Sequence, residues 1–153
     1  MTWDEMWHGI HIGCARRMAV LKRGGKDRFG ANPELIAWKA DIEGACAELA
    51  VAKALGVEWP ASVDQGSDPD IWPDIEVRRT NPSLILRPND HKDRRYVWVK
   101  GWAPAYEIGG WIKAGDGMRD EWLTDFGKPN RPKCFCVPRE RLCKIETLTM
   151  PEN

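Results

Sequence analysis

Residues 68–78 read Asp-Pro-Asp-Ile-Trp-Pro-Asp-Ile-Glu-Val-Arg, and this stretch decides how the rest of the chain is interpreted. Its last four residues alternate apolar with charged side chains, which predicts a strand with Glu76 and Arg78 on one face and Ile75 and Val77 on the other. The preceding aspartates and prolines are typical of a turn. The stretch therefore places several carboxylates at the entrance of a strand.

Two helices are predicted before this stretch. The first has apolar residues at steps of three and four, the spacing of one helical face: Trp3, Trp7, Ile10, Cys14, Met18 and Leu21. The second begins at Asn32-Pro33, a capping residue followed by proline at the first helical position, and ends at Leu55, before Gly56. The glycine-containing basic segment 22–28 between them is interpreted as a solvated loop, with a phosphate-contacting loop as the alternative.

Short strands are predicted around this stretch, at residues 57–59, 75–78, 84–87, 96–100, 105–108 with 111–112, and 134–137. A short helix is predicted near residues 120–123. Together these elements indicate an α+β fold, in which N-terminal helices are followed by a mixed, mainly antiparallel central sheet flanked by helices.

Length and composition limit the classes of protein. The 153 residues predict a single domain, with a first helix and basic loop at 1–31, a core at 32–143 and a tail at 144–153. The 23 basic and 23 acidic residues balance, so any electrostatic contact with nucleic acid must be local. The odd count of five cysteines fits a reducing compartment. No apolar run reaches the roughly 18 residues of a spanning helix, and Asp4 and Glu5 make a secretory signal unexpected. We expect a soluble, cytoplasmic protein that does not bind membranes.

The acidic residues suggest a metal site. On the second helix, Glu48 projects from the small, apolar face that should pack inward, and a buried carboxylate needs a cation or metal as its partner. Asp70 before the strand and Glu76 on it can converge on one ion, with the backbone carbonyl of Val77 as a third ligand. Oxygen donors of this kind select Mg²⁺ or Mn²⁺, which can activate water for phosphodiester hydrolysis. Glu43, by contrast, is interpreted as a surface ion pair with Lys39.

The order of these residues resembles the PD-(D/E)XK nuclease superfamily. The shared pattern is Gly44-x-x-x-Glu48 on a helix, then Pro69-Asp70, then Glu76-Val77-Arg78 on a strand. The segments at 84–90, 96–99, 106–112 and 134–138 are similar to small nuclease-like proteins encoded by phages. The resemblance covers residues 33–143 and implies a restriction-endonuclease-like core and metal-dependent cleavage of DNA or RNA. A phage-encoded protein would act in the host cytoplasm.

One position departs from the family pattern. Arg78 stands where the family has lysine, and arginine stays protonated, so it cannot act as a general base. It can still orient water or stabilise the phosphate by its charge. Asp74 shares strand parity with Glu76 and is the alternative to Asp70. Basic residues that could contact a phosphate backbone follow the site: Arg79, Arg87, Lys92, Arg94 and Arg95.

Other interpretations remain open. A catalytically impaired nuclease-like module would bind nucleic acid or a partner protein without cleaving it. A third interpretation is that the acidic cluster is only turn chemistry with capping aspartates. Cys134, Cys136 and Cys143 are weighed as zinc ligands but favoured as buried thiols; His8 and His11 are favoured as exposed or hydrogen-bonded side chains. The oligomeric state is not fixed by the sequence, and a homo-oligomer stays open.

Overall fold

Two long helices precede all of the strands. A computed structural model describes residues 1–24, 34–64, 66–128 and 130–150. The elements in chain order are α1 (Trp3–Lys22), α2 (Glu34–Leu55), β1 (Ile75–Arg79), β2 (Leu84–Leu86), β3 (Arg95–Trp102), β4 (Ala105–Lys113), α3 (Ala114–Gly117), β5 (Leu123–Thr124) and β6 (Cys134–Val137). Short 3₁₀ turns lie at Asp120–Trp122, Arg139–Arg141 and Ile145–Thr147. The predicted α+β class is confirmed.

The helix ends follow from local chemistry. The Thr2 hydroxyl accepts a hydrogen bond from the Glu5 amide, and the Glu5 carboxylate accepts one from the Thr2 amide, a reciprocal capping box that starts α1. Gly56 follows α2 with a φ of 67°, a left-handed conformation that glycine adopts without strain, so the predicted stop is confirmed. The predicted Asn32-Pro33 start and residues 25–28 of the basic loop lie outside the described residues.

The chain divides into two compact units. The first comprises Met1–Pro73 with Gly101–Tyr106, and the second comprises Asp74–Lys100 with Glu107–Asn153. The first unit holds both long helices, and the second holds most of the strand residues. None of the described helices combines the length and apolar character needed to cross a membrane.

In the first unit, α1 packs against α2 through two glycines. A Cβ atom on Gly9 would lie 2.7 Å from the Cys46 Sγ, and one on Gly13 would lie 2.4 Å from the Ile42 Cα. Only residues without side chains at these two positions allow the helices to approach this closely. The facing part of α2 is a run of buried small residues, Ala45, Cys46 and Ala47.

The strands of the described residues form two three-stranded sheets, where a single central sheet was predicted. In the first, β3 lies between β1 and β4, and β1 runs parallel to β3 with Glu76 opposite Tyr96. In the second, β6 lies between β2 and β5 and is antiparallel to both. The division arises because β2, which follows β1 directly in sequence, pairs with the distant β6.

The predicted strand at residues 57–59 is wrong. The segment has no regular structure, Pro60 follows it, and the Trp59 side chain is buried. Since proline lacks the amide hydrogen that a strand ladder uses, the apolar character of this segment reflects burial of one indole instead of strand pairing.

The core of the second unit joins residues of both sheets. Trp98 on β3 packs over Gly109 on β4, where a Cβ atom would lie 2.1 Å from the indole ring, and its Nε1 donates to the Thr80 carbonyl at 3.0 Å. The buried cluster around it consists of Leu84, Leu86, Tyr96, Ile112, Ala114, Phe135 and Val137. Tyr96 and Trp98 anchor β3 in this core, and β1, which carries Glu76, Val77 and Arg78, is positioned by its parallel pairing with β3.

Candidate functional site

Glu48 is buried within the helical unit and fully engaged by hydrogen bonds. Arg16 on α1 donates from Nη1 to Oε1 at 2.6 Å and from Nη2 to Oε2 at 2.8 Å. The Trp59 indole donates to Oε2 at 3.1 Å, and Arg16 Nε donates to the Ser62 carbonyl at 2.8 Å. The sequence predicted that this buried carboxylate needs a cation or metal as its partner. Within this unit, that partner is the guanidinium of Arg16.

The charge balance at Arg16 follows from the same contacts. Burial disfavours the guanidinium charge, but the hydrogen bond and the charge of Glu48, helped by Asp70 and Asp41, outweigh burial and raise the pKa of Arg16 above its ordinary value. Sequence reasoning did not assign a role to Arg16. Its signal was the pair Arg16-Arg17, the charged residues in the otherwise uncharged run of residues 12–21.

Asp70 also belongs to the first unit. It is half-buried between the buried residues Pro69 and Ile71, while Asp68 is exposed. Its negative charge contributes to the raised pKa of Arg16. Asp70 is therefore held near the charged network of the helical unit, and Asp68 projects into solvent as a turn residue would.

Glu76 and Arg78 lie two residues apart on β1, and each forms its own ion pair within the second unit. Arg94 donates to Glu76 Oε1 at 2.5 Å. Arg78 donates from Nη2 to Asp90 Oδ1 at 2.7 Å, and its guanidinium lies over the Tyr96 ring, 5.2 Å from the centroid. Asp90 and Arg94 lie on the same segment before β3. This one segment therefore supplies the ion-pair partners of both Arg78 and Glu76.

Asp74 is paired with Arg95, the first residue of β3. The Arg95 guanidinium donates from Nε to both carboxylate oxygens, at 3.0 Å to Oδ1 and 2.9 Å to Oδ2, and from Nη2 to Oδ1 as well. Arg95 also donates from Nη1 to the Thr149 carbonyl at 2.6 Å. These contacts give Asp74 a structural role at the start of the parallel strand pair.

The basic residues predicted to contact nucleic acid differ in their surroundings. Arg94 and Arg95 are engaged by Glu76 and Asp74, as described above. Arg79 and Arg87 are half-buried, and Lys92 is exposed. Of the five, Lys92 is the most exposed, and a nucleic-acid contact by any of them stays a prediction.

The oxygen donors predicted to bind a metal belong to different units. Glu48 and Asp70 lie in the first unit, and Glu76 and Val77 lie in the second. Across the described ranges, no group of three or more histidine, cysteine, aspartate or glutamate side chains is arranged to hold a metal ion. The donor chemistry fits a hard cation, while the ligand set stays a prediction of the sequence.

Two further sequence predictions concern Glu43 and the cysteines. Glu43 accepts hydrogen bonds from the Tyr106 hydroxyl at 2.7 Å and the Ala103 amide at 3.3 Å, while its predicted partner Lys39 lies over the Trp102 ring. All five cysteines are free thiols. Burial raises the pKa of Cys134, whereas Cys143 is exposed and pairs through its backbone with Trp111.

Comparison with known proteins assigns no family to this chain. No protein-family model matches the chain, and neither a curated protein nor a solved structure matches it.

Proposed function

We propose that the chain is a metal-dependent nuclease of the PD-(D/E)XK type, with a restriction-endonuclease-like core, that hydrolyses phosphodiester bonds of DNA or RNA. The observation that carries the proposal is the arrangement of Glu76 and Arg78 on β1. A carboxylate and a guanidinium lie on one side of a strand, with side chains 15% and 20% exposed, and each is held in place by an ion pair. Such ordering before substrate binds is what electrostatic catalysis requires.

The proposed roles follow from the chemistry of the side chains. Glu76 and the Val77 carbonyl would hold Mg²⁺ or Mn²⁺, with Asp70 and Glu48 as the remaining ligands predicted from the sequence. The ion, when bound, would supply a water of lowered pKa and neutralise charge on the phosphate. Arg78 remains protonated, so its role is to stabilise the negative charge of the phosphate.

The test is cleavage of labelled single-stranded DNA, duplex DNA and RNA by the purified chain, with Mg²⁺, with Mn²⁺ and with a chelator. Cleavage should require the divalent ion and should be lost in Glu76→Gln. The matched control is Glu107→Gln, because Glu107 is an exposed carboxylate of β4 that also forms ion pairs, with Lys100 and Arg139. If every substrate stays intact under all conditions, the chain is not a nuclease.

A second candidate is a nuclease-like module that binds nucleic acid or a partner protein without cleavage. It is favoured by the Arg16, Glu48 and Trp59 network, in which both Glu48 oxygens already accept hydrogen bonds from protein groups. A carboxylate satisfied in this way has less to gain from a metal ion.

Two measurements separate the candidates. Calorimetric titration with Mg²⁺ should show binding that Glu76→Gln removes if the chain is an enzyme. Arg78→Lys, which introduces the lysine of the family pattern, should then retain or increase cleavage. If the chain is a binding module, fluorescence anisotropy should detect nucleic-acid binding in the presence of a chelator, and Arg78→Lys should produce no cleavage.

A further inference from the structure

The apolar face predicted for α1 is largely exposed. We call the residues Trp3, Trp7, Ile10, Cys14, Met18 and Leu21 the α1 stripe. Trp3 is 82% exposed, Trp7 66% and Met18 63%, while Ile10 and Cys14 are half-buried. Large apolar side chains that recur along a whole helix and face solvent mark an interaction site more often than an ordinary surface.

The packing of α1 against α2 explains why the α1 stripe remains exposed to solvent. The helix contacts α2 through Gly9 and Gly13, which lie roughly a quarter of a turn or more from the centre of the stripe around the helix axis. The buried residues of α1 are these two glycines and Arg17. Trp3, Trp7, Met18 and Leu21 are all exposed, so these large apolar side chains of α1 leave much of their surface uncovered in the first unit.

We propose that the α1 stripe is the interface of a homodimer in which the two α1 helices pack antiparallel. In that orientation the stripe complements itself about a two-fold axis. Trp3 would face Leu21 of the partner subunit, Trp7 would face Met18 of the partner subunit, and Ile10 would face Cys14 of the partner subunit. Each large side chain therefore meets a smaller one, the alternation that close packing between helices needs.

Charge supports the antiparallel orientation and a second copy of the same chain. Asp4 in the first turn and Lys22 in the last turn of α1 are both exposed and lie along the same edge of the stripe. In an antiparallel pair, equivalent edges of two helices face each other, so Asp4 meets Lys22 of the partner subunit at both ends. A parallel pair would lose both of these contacts.

The dimer would also bury the exposed apolar face of α1 in a four-helix arrangement. Each copy contributes an antiparallel pair of helices, as the Gly9 contact with Cys46 and the Gly13 contact with Ile42 show. Two such pairs joined through α1 make a bundle in which the stripe is buried. This inference does not depend on the proposed nuclease activity, because no residue of the α1 stripe belongs to the proposed ligand set.

The decisive experiment measures the mass of the intact chain by sedimentation equilibrium over a range of concentrations. The wild-type chain should be a dimer, and Trp7→Glu should raise the dimer Kd at least about thirtyfold, as loss of an interface hot spot does. Trp72→Glu is the matched control, because Trp72 is 72% exposed and lies outside the stripe. Far-UV circular dichroism should show both variants folded.

A charge exchange tests the orientation separately. Asp4→Lys alone and Lys22→Asp alone should each weaken the dimer at low salt, and the double variant should restore it. A chain that stays monomeric at all concentrations, or a dimer that Trp7→Glu leaves intact, would overturn the interface. Single charge variants that dimerise as well as the wild type would overturn the antiparallel arrangement.

Discussion

Arg16 and Glu48 form a two-point ion pair that ties α1 to α2 inside the helical unit. Both nitrogens of the guanidinium fork are used, at 2.6 Å and 2.8 Å, and the side chains are only 14% and 7% exposed. Because Arg16 also binds the Ser62 carbonyl, and Glu48 the Trp59 indole, three segments meet at this pair: α1, α2 and the segment that follows α2. Its removal therefore affects more than one contact.

Glu48→Ala should destabilise the chain by about 3–5 kcal/mol, because it leaves the guanidinium of Arg16 buried and unpaired. Urea denaturation measures the change in the free energy of unfolding. The double variant Arg16→Met/Glu48→Leu should recover most of the loss, since apolar side chains of similar volume often replace a buried ion pair without cost.

The control is Asp64→Ala, which removes the exposed ion pair of Asp64 with Arg23. Its cost should stay below about 1 kcal/mol. A loss of less than about 1 kcal/mol for Glu48→Ala would show that the buried pair contributes no more than a surface pair.

Gly13→Ala should destabilise the chain by about 1–3 kcal/mol, the usual cost of overpacking. The added methyl group would lie 2.4 Å from the Ile42 Cα and 2.8 Å from the Asp41 carbonyl oxygen, so the helices would have to move apart. Thermal unfolding followed by circular dichroism detects the change.

Gly44→Ala is the matched substitution on the other helix. A Cβ atom at Gly44 meets nothing within 4 Å. Alanine in a helix interior is favoured over glycine by about 1 kcal/mol, so this variant should be stabilised. Equal effects of the two substitutions would contradict the close approach of α1 and α2.

Asp90→Ala should cost about 2–4 kcal/mol in the second unit. The Asp90 side chain is 8% exposed and accepts from Arg78 at 2.7 Å and from the Arg87 amide at 2.8 Å. Asp93→Ala provides the comparison, because that side chain is 97% exposed and pairs only at the surface with Lys113. Urea denaturation of both variants should give a clear difference, and an equal effect would rule out a structural role for Asp90.

The thiols should differ sharply in reactivity. Burial, followed by the negative charge of Glu43, raises the pKa of Cys46 to about 11, while Cys143 is exposed. Iodoacetamide at pH 8 should therefore modify Cys143 within the folded chain and reach Cys46 only on unfolding. Mass spectrometry of the digested chain locates the modified residue, and rapid labelling of Cys46 would show that α1 does not cover it.

The same raised pKa has a consequence for stability. The unfolded chain loses the Cys46 proton first, so stability is fully present below the ordinary pKa of 9.0 and declines as the pH rises towards about 11. Cys46→Ala should reduce the decline over this range.

The two long helices and the strands β1–β4 and β6 could be predicted because their apolar periodicity is local, whereas the short elements α3 and β5 were not predicted. The sequence also identified Glu48 as a buried carboxylate in need of a partner. It did not identify Arg16 as that partner, because the pairing joins two helices across a contact that only the glycines of α1 define. The residues of the α1 stripe were predicted to lie on one helical face, but their spacing does not show that α1 packs on α2 through Gly9 and Gly13 instead.

Sheet pairing was less predictable than the strands themselves. The alternation of Ile75, Glu76, Val77 and Arg78 specifies the strand and its faces, but the parallel partner β3 is set by the buried residues around Tyr96 and Trp98. Likewise, nothing within Leu84–Leu86 indicates that its partner is β6. Pairing between distant segments depends on the whole core, which a local pattern does not contain.

The position of β2 bears on how the second unit folds. Leu84–Leu86 is synthesised after β1 and before β3. Its hydrogen-bond partner, Cys134–Val137, is the last strand among the described residues. The entropy of closing that long loop must be lost before the pairing stabilises anything, which slows folding. During synthesis, β1 and β3 can therefore pair before Cys134–Val137 has emerged to pair with Leu84 and Leu86.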